Sequence, residues 1–292
     1  MKLFFLLLSL SFFLFGADEK ELLDEKKKVA QSLDPFGDPE AKDTINRIID
    51  SQFNLRAYKE NYFLPFSYRY DSPYCPIGIH EGEERSVETE FQVSIRYDFA
   101  ANAFGFGEIY SFAYSQRSWW QVYSTSAFFR ESNYQPEFFI SIPTYTFWKN
   151  SPIKGFKLSF IHQSNGRGGT YERSWNRIAL NSFIQYKNLI TEIELWYRTH
   201  DKNDYNPDLI DYLGYGQLRF IVPYRKHLFK LTLRSNIKHK KGSVELTYSY
   251  PIPARKENDL FLFFKTFNGY GESLIDYNNY VNKVSLGVSI SR

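Results

Sequence analysis

The sequence predicts an all-β protein: a twelve-stranded antiparallel transmembrane β-barrel that follows a short, partly helical N-terminal arm. Three observations support this prediction: apolar and polar residues alternate along much of the chain, aromatic residues are unusually abundant, and the N-terminus resembles an export signal. The 292 residues include 28 Phe, 23 Tyr and 5 Trp, yet the mean hydropathy is −0.45. A chain that is rich in aromatic residues but polar on average is typical of outer-membrane barrels.

The first residues of the chain follow the pattern of a cleaved secretory signal: a basic residue, an apolar run and then small residues. Lys2 precedes an apolar run of about a dozen residues, and small residues follow at Gly16-Ala17. We therefore expect residues 1–17 to be a signal peptide and residues 18–60 to be a periplasmic arm, in which Asp38-Pro39 begins a helix. A helical membrane protein is excluded, because no stretch approaches the ~20 consecutive apolar residues of a spanning helix.

From Asn61 onward, apolar and polar residues alternate in segments separated by clusters of Gly, Pro, Asn, Asp and Ser. The predicted barrel domain therefore spans residues 61–292. Its strands are 61–70, 88–99, 105–120, 135–148, 154–164, 174–187, 190–199, 212–224, 227–238, 242–252, 259–269 and 282–291. An even number of strands with apolar residues outward and polar residues inward is the rule for bacterial barrels. A soluble β-sandwich would also alternate, but these lengths match the ~9–11 residues that cross a bilayer at a tilt.

The charge and the cysteine content of the chain favour neither nucleic-acid binding nor catalysis by a thiol. The formal net charge of +3 is too small to indicate a nucleic-acid-binding protein. The single cysteine, Cys75, cannot form a disulfide within the chain, and a free thiol in a loop is its simplest role.

The hairpin formed by the predicted strands 154–164 and 174–187 carries the most informative residues. His162 and Ser164 are two residues apart, so both side chains point to the same face of their strand. Asn176 lies on the apolar face of the returning strand. The apolar residues that share these two faces are Phe156, Leu158, Phe160, Ile178, Leu180 and Ile184. Ile161 is the one apolar exception on the opposite face. Because His162, Ser164 and Asn176 share the apolar faces, the sequence places three polar groups on the side that should meet lipid.

Topology predicts where this hairpin lies in the membrane. If the chain enters the barrel from the periplasm, odd strands run outward and even strands run back. The loop at 165–173, between the fifth and sixth predicted strands, is then extracellular. His162, Ser164 and Asn176 would lie in the outer leaflet.

These three residue types can form a hydrolytic triad. A serine hydroxyl is a weak nucleophile until a neighbouring base takes its proton, and His162 can act as that base for Ser164. The other histidines, in loops or near strand ends, are His80, His200, His227 and His239. Asn176 could orient the imidazole without the desolvation cost of an unpaired carboxylate. Backbone amides in the turn at 165–167 could stabilise an oxyanion.

Four ordered blocks make the chain resemble the outer membrane phospholipase A family. They are YSQRSWWQ (114–121), FRESNYQP (129–136), HQSNGRGGTYERSWNR (162–177) and YGESLIDYN (270–278). The resemblance covers the barrel from about Asn61 to the C-terminus. It implies a twelve-stranded outer-membrane barrel that hydrolyses acyl esters of phospholipids (A1 and A2 type) and of lysophospholipids, requires Ca²⁺ and acts as a homodimer.

The resemblance also implies a role for each residue of the hairpin. Ser164 would be the nucleophile, His162 the base and Asn176 the residue that orients the base. The backbone amide of Gly166 would lie in the oxyanion hole.

For calcium, the family pattern maps onto Ser126, the carbonyl of Arg167 and the side chain of Glu172. The chain departs from that pattern at two of these positions. The loop that carries Ser126 is two residues shorter, and Glu172 stands where a serine is usual, although a carboxylate is a good ligand for a hard cation. Gly169 replaces an acidic residue that helps the family bind a second calcium, so the resemblance does not extend to a second site.

Gln116 is predicted to face lipid, where an amide lacks partners unless a second subunit provides them. Its strand face also carries Phe106, Tyr110, Phe112 and Tyr114. The resemblance implies that Gln116 forms hydrogen bonds across the dimer. The aromatic pairs Trp119-Trp120 and Tyr270 with Tyr277 are expected in belts at the membrane interfaces.

Two other classes of barrel are alternatives to an enzyme. In a passive porin or transport barrel, inward residues such as Arg96, Lys230 and Arg234 would line a channel. That function would explain the barrel but not the outward His162 and Ser164. In an adhesin or structural barrel, the extracellular loops rather than this hairpin should carry the conspicuous chemistry.

Overall fold

The computed structural model describes residues 19–34, 36–49, 55–71, 84–201, 204–252 and 260–292, and their sheet forms a closed barrel. The signal segment, Cys75 and His80 lie outside the described residues. One antiparallel sheet contains the strands β1 (Leu55–Ala57), β2 (Tyr62–Arg69), β3 (Val87–Ala101), β4 (Ile109–Trp120), β5 (Phe129–Pro143), β6 (Ile153–Ser164), β7 (Ser174–Tyr186), β8 (Leu189–Thr199), β9 (Gly216–Tyr224), β10 (His227–Asn236), β11 (Lys241–Pro251), β12 (Phe261–Gly269) and β13 (Val281–Ser289). Strands β2 to β13 pair in chain order and β13 pairs back with β2, which closes a twelve-stranded barrel. The described residues also form the helices α1 (Glu19–Ser32), α2 (Pro39–Ile49) and α3 (Leu209–Leu213).

The short strand β1 is an addition to the twelve predicted strands. Strands β1 and β2 both pair with β3, one after the other along it: Ala57 of β1 pairs with Ile95, and Tyr62 of β2 pairs with Gln92. The four residues 58–61 therefore lie opposite only two residues of β3, 93 and 94. The extra residues bulge into the barrel. Inside the barrel, the Tyr58 hydroxyl donates a hydrogen bond of 2.8 Å to Glu137.

Several predicted strand ends were wrong. The third predicted strand begins at Ile109 rather than 105, because residues 102–108 form a turn with positive φ angles. The fourth begins six residues early, at Phe129, and ends at Pro143. The eighth begins at Gly216 rather than 212, because α3 occupies the chain just before it and buries Leu209 and Leu213.

The faces of the barrel follow the predicted alternation. Outward side chains such as Leu158 and Phe160 are 48% and 45% exposed. Inward charges are buried and paired: Lys265 lies 2.5 Å from Glu90, and Lys283 lies 2.9 Å from the same carboxylate. A buried charge without a partner would be costly, so these pairs allow a polar interior to pack.

A cluster of apolar side chains fills one end of the barrel interior. Its members are Ile161, Trp175, Ala179, Trp196, Leu209, Leu213, Leu274 and Tyr277. Strands β6 to β8 provide the first four, and α3 and the 270–280 loop cover them. This interior cluster explains why Ile161 is apolar on the inward face. It also corrects the prediction that Tyr277 belongs to an aromatic belt.

The N-terminal arm is helical and packs against the opposite end of the barrel. In α1, Lys26 lies 3.0 Å from the buried Asp98 of β3. Helix α2 begins at Pro39 as predicted, and the Asp38 carboxylate caps it by accepting a 3.0 Å hydrogen bond from the Glu40 amide. No helix in the described residues is long and apolar enough to cross a membrane.

Candidate active site

The register of the β6–β7 hairpin brings two of the three predicted triad residues together. His162 pairs with Asn176 across the hairpin, and His162 Nδ1 lies 2.8 Å from Asn176 Oδ1. Both side chains are partly exposed on the outer face. An amide oxygen can only accept a hydrogen bond, so this contact assigns the proton to Nδ1 and leaves Nε2 as the basic nitrogen.

Ser164 lies two residues further along β6, on the same outer face as His162. Its hydroxyl makes no hydrogen bond to His162 or to another group within the part of the chain that the structure describes. The structure therefore places the serine beside the histidine without joining them. Catalytic hydrogen bonds are often long in the absence of substrate, and this arrangement is compatible with a nucleophile and its base.

A further carboxylate contacts the triad, and sequence reasoning missed it. Asn176 Nδ2 donates to both carboxylate oxygens of Asp201, at 2.9 and 3.1 Å. Asp201 follows the end of β8, and Thr199 of that strand pairs with Asn176. Correct pairing of β7 with β8 could have suggested this neighbour, because Asp201 lies only two residues past Thr199.

The loop at 165–173 is held in shape by Asn165, a second residue that the sequence did not reveal. Asn165 is buried, and its amide oxygen accepts hydrogen bonds from the backbone N–H groups of Arg167 at 3.3 Å and Arg173 at 3.0 Å. Its amide nitrogen donates to the Tyr171 carbonyl at 2.9 Å. One side chain thus connects the beginning of the loop to its end.

Gly166 is the second residue of this loop and directly follows Asn165. Its φ angle of +67° lies in the left-handed region that favours glycine, and a Cβ there would lie 3.0 Å from the Tyr134 ring. The Gly166 N–H has no acceptor among the described residues. An unengaged backbone amide two residues beyond a serine can serve as an oxyanion donor.

The predicted calcium ligands lie in two loops at the same end of the barrel. Arg167 and Glu172 belong to the loop after β6, and Ser126 belongs to the loop between the neighbouring strands β4 and β5. The Arg167 side chain is fixed on β5, where Nε lies 3.2 Å from Glu131 and Nη2 donates to the Arg130 carbonyl at 2.5 Å. This anchorage restrains the backbone that carries the Arg167 carbonyl.

The chemistry of these groups fits calcium. Across the described ranges, no cluster of three or more His, Cys, Asp or Glu side chains could hold a metal. The predicted set is instead one carboxylate, one hydroxyl and one carbonyl, which are all hard oxygen donors. The Glu172 carboxylate is half-buried and forms no hydrogen bond or ion pair with any residue that the structure covers. It is therefore available to a cation.

A buried ionic network supports these loops from inside the barrel. The Arg130 guanidinium contacts the Glu88 carboxylate at 2.9 and 3.1 Å and also pairs with Asp276. Nearby, burial raises the pKa of the Glu272 carboxyl above its ordinary value, although Lys283 lies against it. Trp119 is fully buried in this region, which corrects its expected place in an aromatic belt.

Gln116 lies on the outer face of β4 as predicted, but it has partners within its own chain. Its Oε1 accepts a hydrogen bond of 3.1 Å from the Tyr114 hydroxyl. Its Nε2 donates to Ser118 Oγ at 3.2 Å. The premise that this amide lacks partners in a single subunit was therefore wrong.

The fold and the site together define a class of protein. A closed twelve-stranded barrel with an apolar outer face is the architecture of a β-barrel membrane protein, and its partly exposed His–Asn pair beside a serine fits the predicted hydrolytic triad. The phospholipase A1 family model matches residues 42–290. The chain belongs to the phospholipase A1 family, which makes it a phospholipase of the outer membrane, as the resemblance implied.

Individual relatives agree with this assignment. A putative phospholipase A1 of Neisseria meningitidis is 33% identical over 80% of this chain, which spans 64% of that relative's length. The phospholipase A1 of Proteus vulgaris is 31% identical, with 83% of each chain covered. The crystal structure of the Salmonella typhi outer membrane phospholipase dimer with bound calcium matches with a TM-score of 0.72 and 29% identity, over 80% of this chain and 91% of that chain.

Proposed function

We propose that this protein hydrolyses acyl ester bonds of phospholipids, of A1 and A2 type, and of lysophospholipids, in a calcium-dependent reaction at the outer leaflet. The observation that carries the proposal is the 2.8 Å contact between His162 and Asn176, beside Ser164, on the apolar outer face. A triad on that face serves a substrate that arrives sideways from the membrane. The proposal includes the division into a signal peptide (1–17), a periplasmic arm (18–60) and a barrel (61–292).

In the proposed reaction, Ser164 Oγ attacks the ester carbonyl carbon while His162 Nε2 takes the hydroxyl proton. The oxygen of the tetrahedral intermediate becomes an anion, to which the Gly166 N–H donates. When the intermediate collapses, the ester C–O bond breaks and His162 returns its proton to the departing alcohol oxygen. Water then attacks the acyl-serine with His162 again as base, which releases the fatty acid and restores Ser164.

Ser126, the Arg167 carbonyl and Glu172 would hold calcium. When bound, the cation supplies positive charge that stabilises the negative charge developing on the carbonyl oxygen. Calcium is bound in the dimer of the Salmonella typhi relative, which supports both a calcium requirement and a homodimer here.

The alternative is a passive porin or transport barrel. The inward cations that would line its channel are engaged: Lys230 lies 2.5 Å from Glu60, and Arg96 lies 2.7 Å from Asp98. Arg234 Nη2 donates to the Gly271 carbonyl at 2.9 Å. No observation therefore favours a channel over the enzyme.

The decisive variant is Ser164→Ala. We expect it to abolish fatty-acid release from phospholipid in detergent micelles with calcium, and to abolish labelling by a sulfonyl fluoride. Heat-modifiable gel mobility should remain, since the alanine lies on the barrel surface. Ser182→Ala is the matched control, an outward serine on the same hairpin that should keep full activity. A folded Ser164→Ala enzyme with full activity would exclude the proposed mechanism.

A further inference from the structure

The Asn176 amide is bound at both of its ends. Its oxygen lies 2.8 Å from His162 Nδ1, and its nitrogen donates to both oxygens of Asp201 at 2.9 and 3.1 Å. His162, Asn176 and Asp201 thus form a continuous chain of side chains on the outer surface. The carboxylate lies at its far end, in the chain just after β8.

A carboxylate in this position determines which way the amide points. An ionised carboxylate accepts hydrogen bonds and cannot donate them. If the Asn176 amide flipped, its oxygen would face the Asp201 oxygens and its NH₂ group would face His162. The flip would therefore replace two attractive contacts with repulsive ones, and His162 would lose the acceptor that keeps its proton on Nδ1.

We propose that Asp201 is a positioning residue for hydrolysis, which acts through Asn176 on His162. This inference rests on the proposed function of the triad. Asp201 fixes the orientation of the amide and polarises it, so that Oδ1 is a stronger acceptor when His162 becomes protonated. The neutral Asn176 amide lies between the imidazole and the carboxylate. The negative charge of Asp201 therefore acts on His162 through the amide and not by direct contact.

The neighbouring carboxylate has a different contact and provides a control. Asp204 lies three residues further along the same loop and pairs with Arg198 at 2.7 Å. Its side chain also accepts a hydrogen bond of 3.0 Å from the backbone N–H of Asn206. Asp204 therefore shapes the loop without touching the triad, whereas Asp201 contacts the triad directly.

The first test compares Asp201→Ala, Asp201→Asn, Asp201→Glu and Asp204→Asn, each as the full-length protein with calcium. We expect Asp201→Ala to lower kcat about ten- to a hundredfold with KM within about twofold, because an orienting group affects the transition state more than substrate binding. Asp201→Asn should lose less, since it keeps one acceptor, and Asp201→Glu should recover part of the rate. Asp204→Asn should keep both constants. Unchanged kcat in a folded Asp201→Ala enzyme would overturn the inference.

The second test separates positioning from a structural effect of the loop. In an Asn176→Asp background there is no amide to orient, and the two carboxylates repel each other. Asp201→Ala should then cost nothing or increase kcat, so the two substitutions should be strongly non-additive. An equal loss in both backgrounds would assign Asp201 to loop structure alone. These outcomes are distinct from failure of the triad, which would appear as retained activity in Ser164→Ala.

Discussion

Asn176 is the direct cross-strand partner of His162 in the β6–β7 hairpin, so the backbone register itself produces the 2.8 Å contact between their side chains. Because side chains alternate between the two faces of a strand, a slip of one residue would turn Asn176 into the barrel. The hydrophobic pattern of the hairpin prevents that slip, since it would expose Arg177 to lipid and bury Ile178. The same pattern that builds the barrel therefore aligns His162 with Asn176, two residues of the proposed triad.

This relationship predicts unequal effects for the two residues. His162→Ala should come close to Ser164→Ala, because the serine then has no base. Asn176→Ala should leave about a hundredfold more activity than His162→Ala, since Asn176 only orients and polarises the imidazole. The measurement is kcat on a soluble ester substrate for variants with heat-modifiable mobility. Equal and complete loss in both variants would indicate that Asn176 has a larger structural role.

Gly166 and Gly168 offer a matched pair of substitutions in one loop. Gly166 has a φ of +67° and the Tyr134 ring 3.0 Å from an added Cβ, whereas Gly168 is extended at φ −117° with open space around its Cβ. We expect Gly166→Ala to lower kcat about a hundredfold, because a shift of about 1 Å misplaces an oxyanion donor. Gly168→Ala should stay within about twofold of the parent. Equal behaviour of the two variants in steady-state assays would argue against the oxyanion role.

The sequence predicted what depends on strand alternation. Period-two alternation is local, so it placed His162, Ser164 and Asn176 on the outer face and located all twelve barrel strands. It could not place Tyr277, whose burial depends on how the 270–280 loop folds back into the barrel. Trp119 is different, because it has the opposite parity to the outward Gln116 on β4, and alternation alone would have placed it inside. Aromatic residues are common both in interface belts and in cores, and composition alone does not separate these two locations.

The contacts that support the site were also missing from the sequence analysis. Asp201 reaches Asn176 because it lies two residues past Thr199, the β8 partner of Asn176, and that register had not been worked out. Asn165 bonds to three backbone groups of its own loop. Asn and Asp in loops are common, and their partners depend on backbone conformation rather than on spacing. The last two residues of helix α3, Tyr212 and Leu213, were predicted as the start of a strand, because the five residues of the helix, LIDYL, are too few to show a helical period.

Glu172 should control the calcium requirement. Because its carboxylate is unengaged in this structure and would bind a cation directly, Glu172→Ala should raise the calcium concentration for half-maximal activity at least about tenfold. Glu172→Ser, which restores the residue usual in the family, should give an intermediate value. Chelation should stop turnover in the parent. The measurement is a calcium titration of hydrolysis, with Asp211→Asn in helix α3 as the acidic control. An unchanged titration for Glu172→Ala would remove Glu172 from the site.

Arg130 should be a major determinant of barrel stability. Its guanidinium is fully buried between Glu88 and Asp276. Arg130→Ala would leave the buried Asp276 without its cation and Glu88 with only Lys283, at 3.6 Å. We expect a loss of about 3–5 kcal/mol in the free energy of unfolding. Arg225→Ala, at an exposed turn, should change it by less than about 0.5 kcal/mol. Denaturant unfolding in lipid vesicles measures both values, and similar small losses would mean that the network relaxes or admits water.

Gln116 should contribute to dimer formation even though it has partners within its own chain. Its contacts to Tyr114 and Ser118, at 3.1 and 3.2 Å, leave a second amide hydrogen and a second lone pair for another subunit. In lipid, a hydrogen bond between two such amides has no competition from water.

Calcium should promote dimers if its site lies beside the substrate cleft that the partner completes. We therefore expect Gln116→Ala to reduce calcium-induced cross-linking in detergent while heat-modifiable mobility stays unchanged. Ser118→Ala is the control, because it removes only contacts within the subunit, to Gln116 and Ser132, and should keep dimerisation. Full activity of cross-link-free monomer in excess chelator would exclude both the dimer and the calcium requirement.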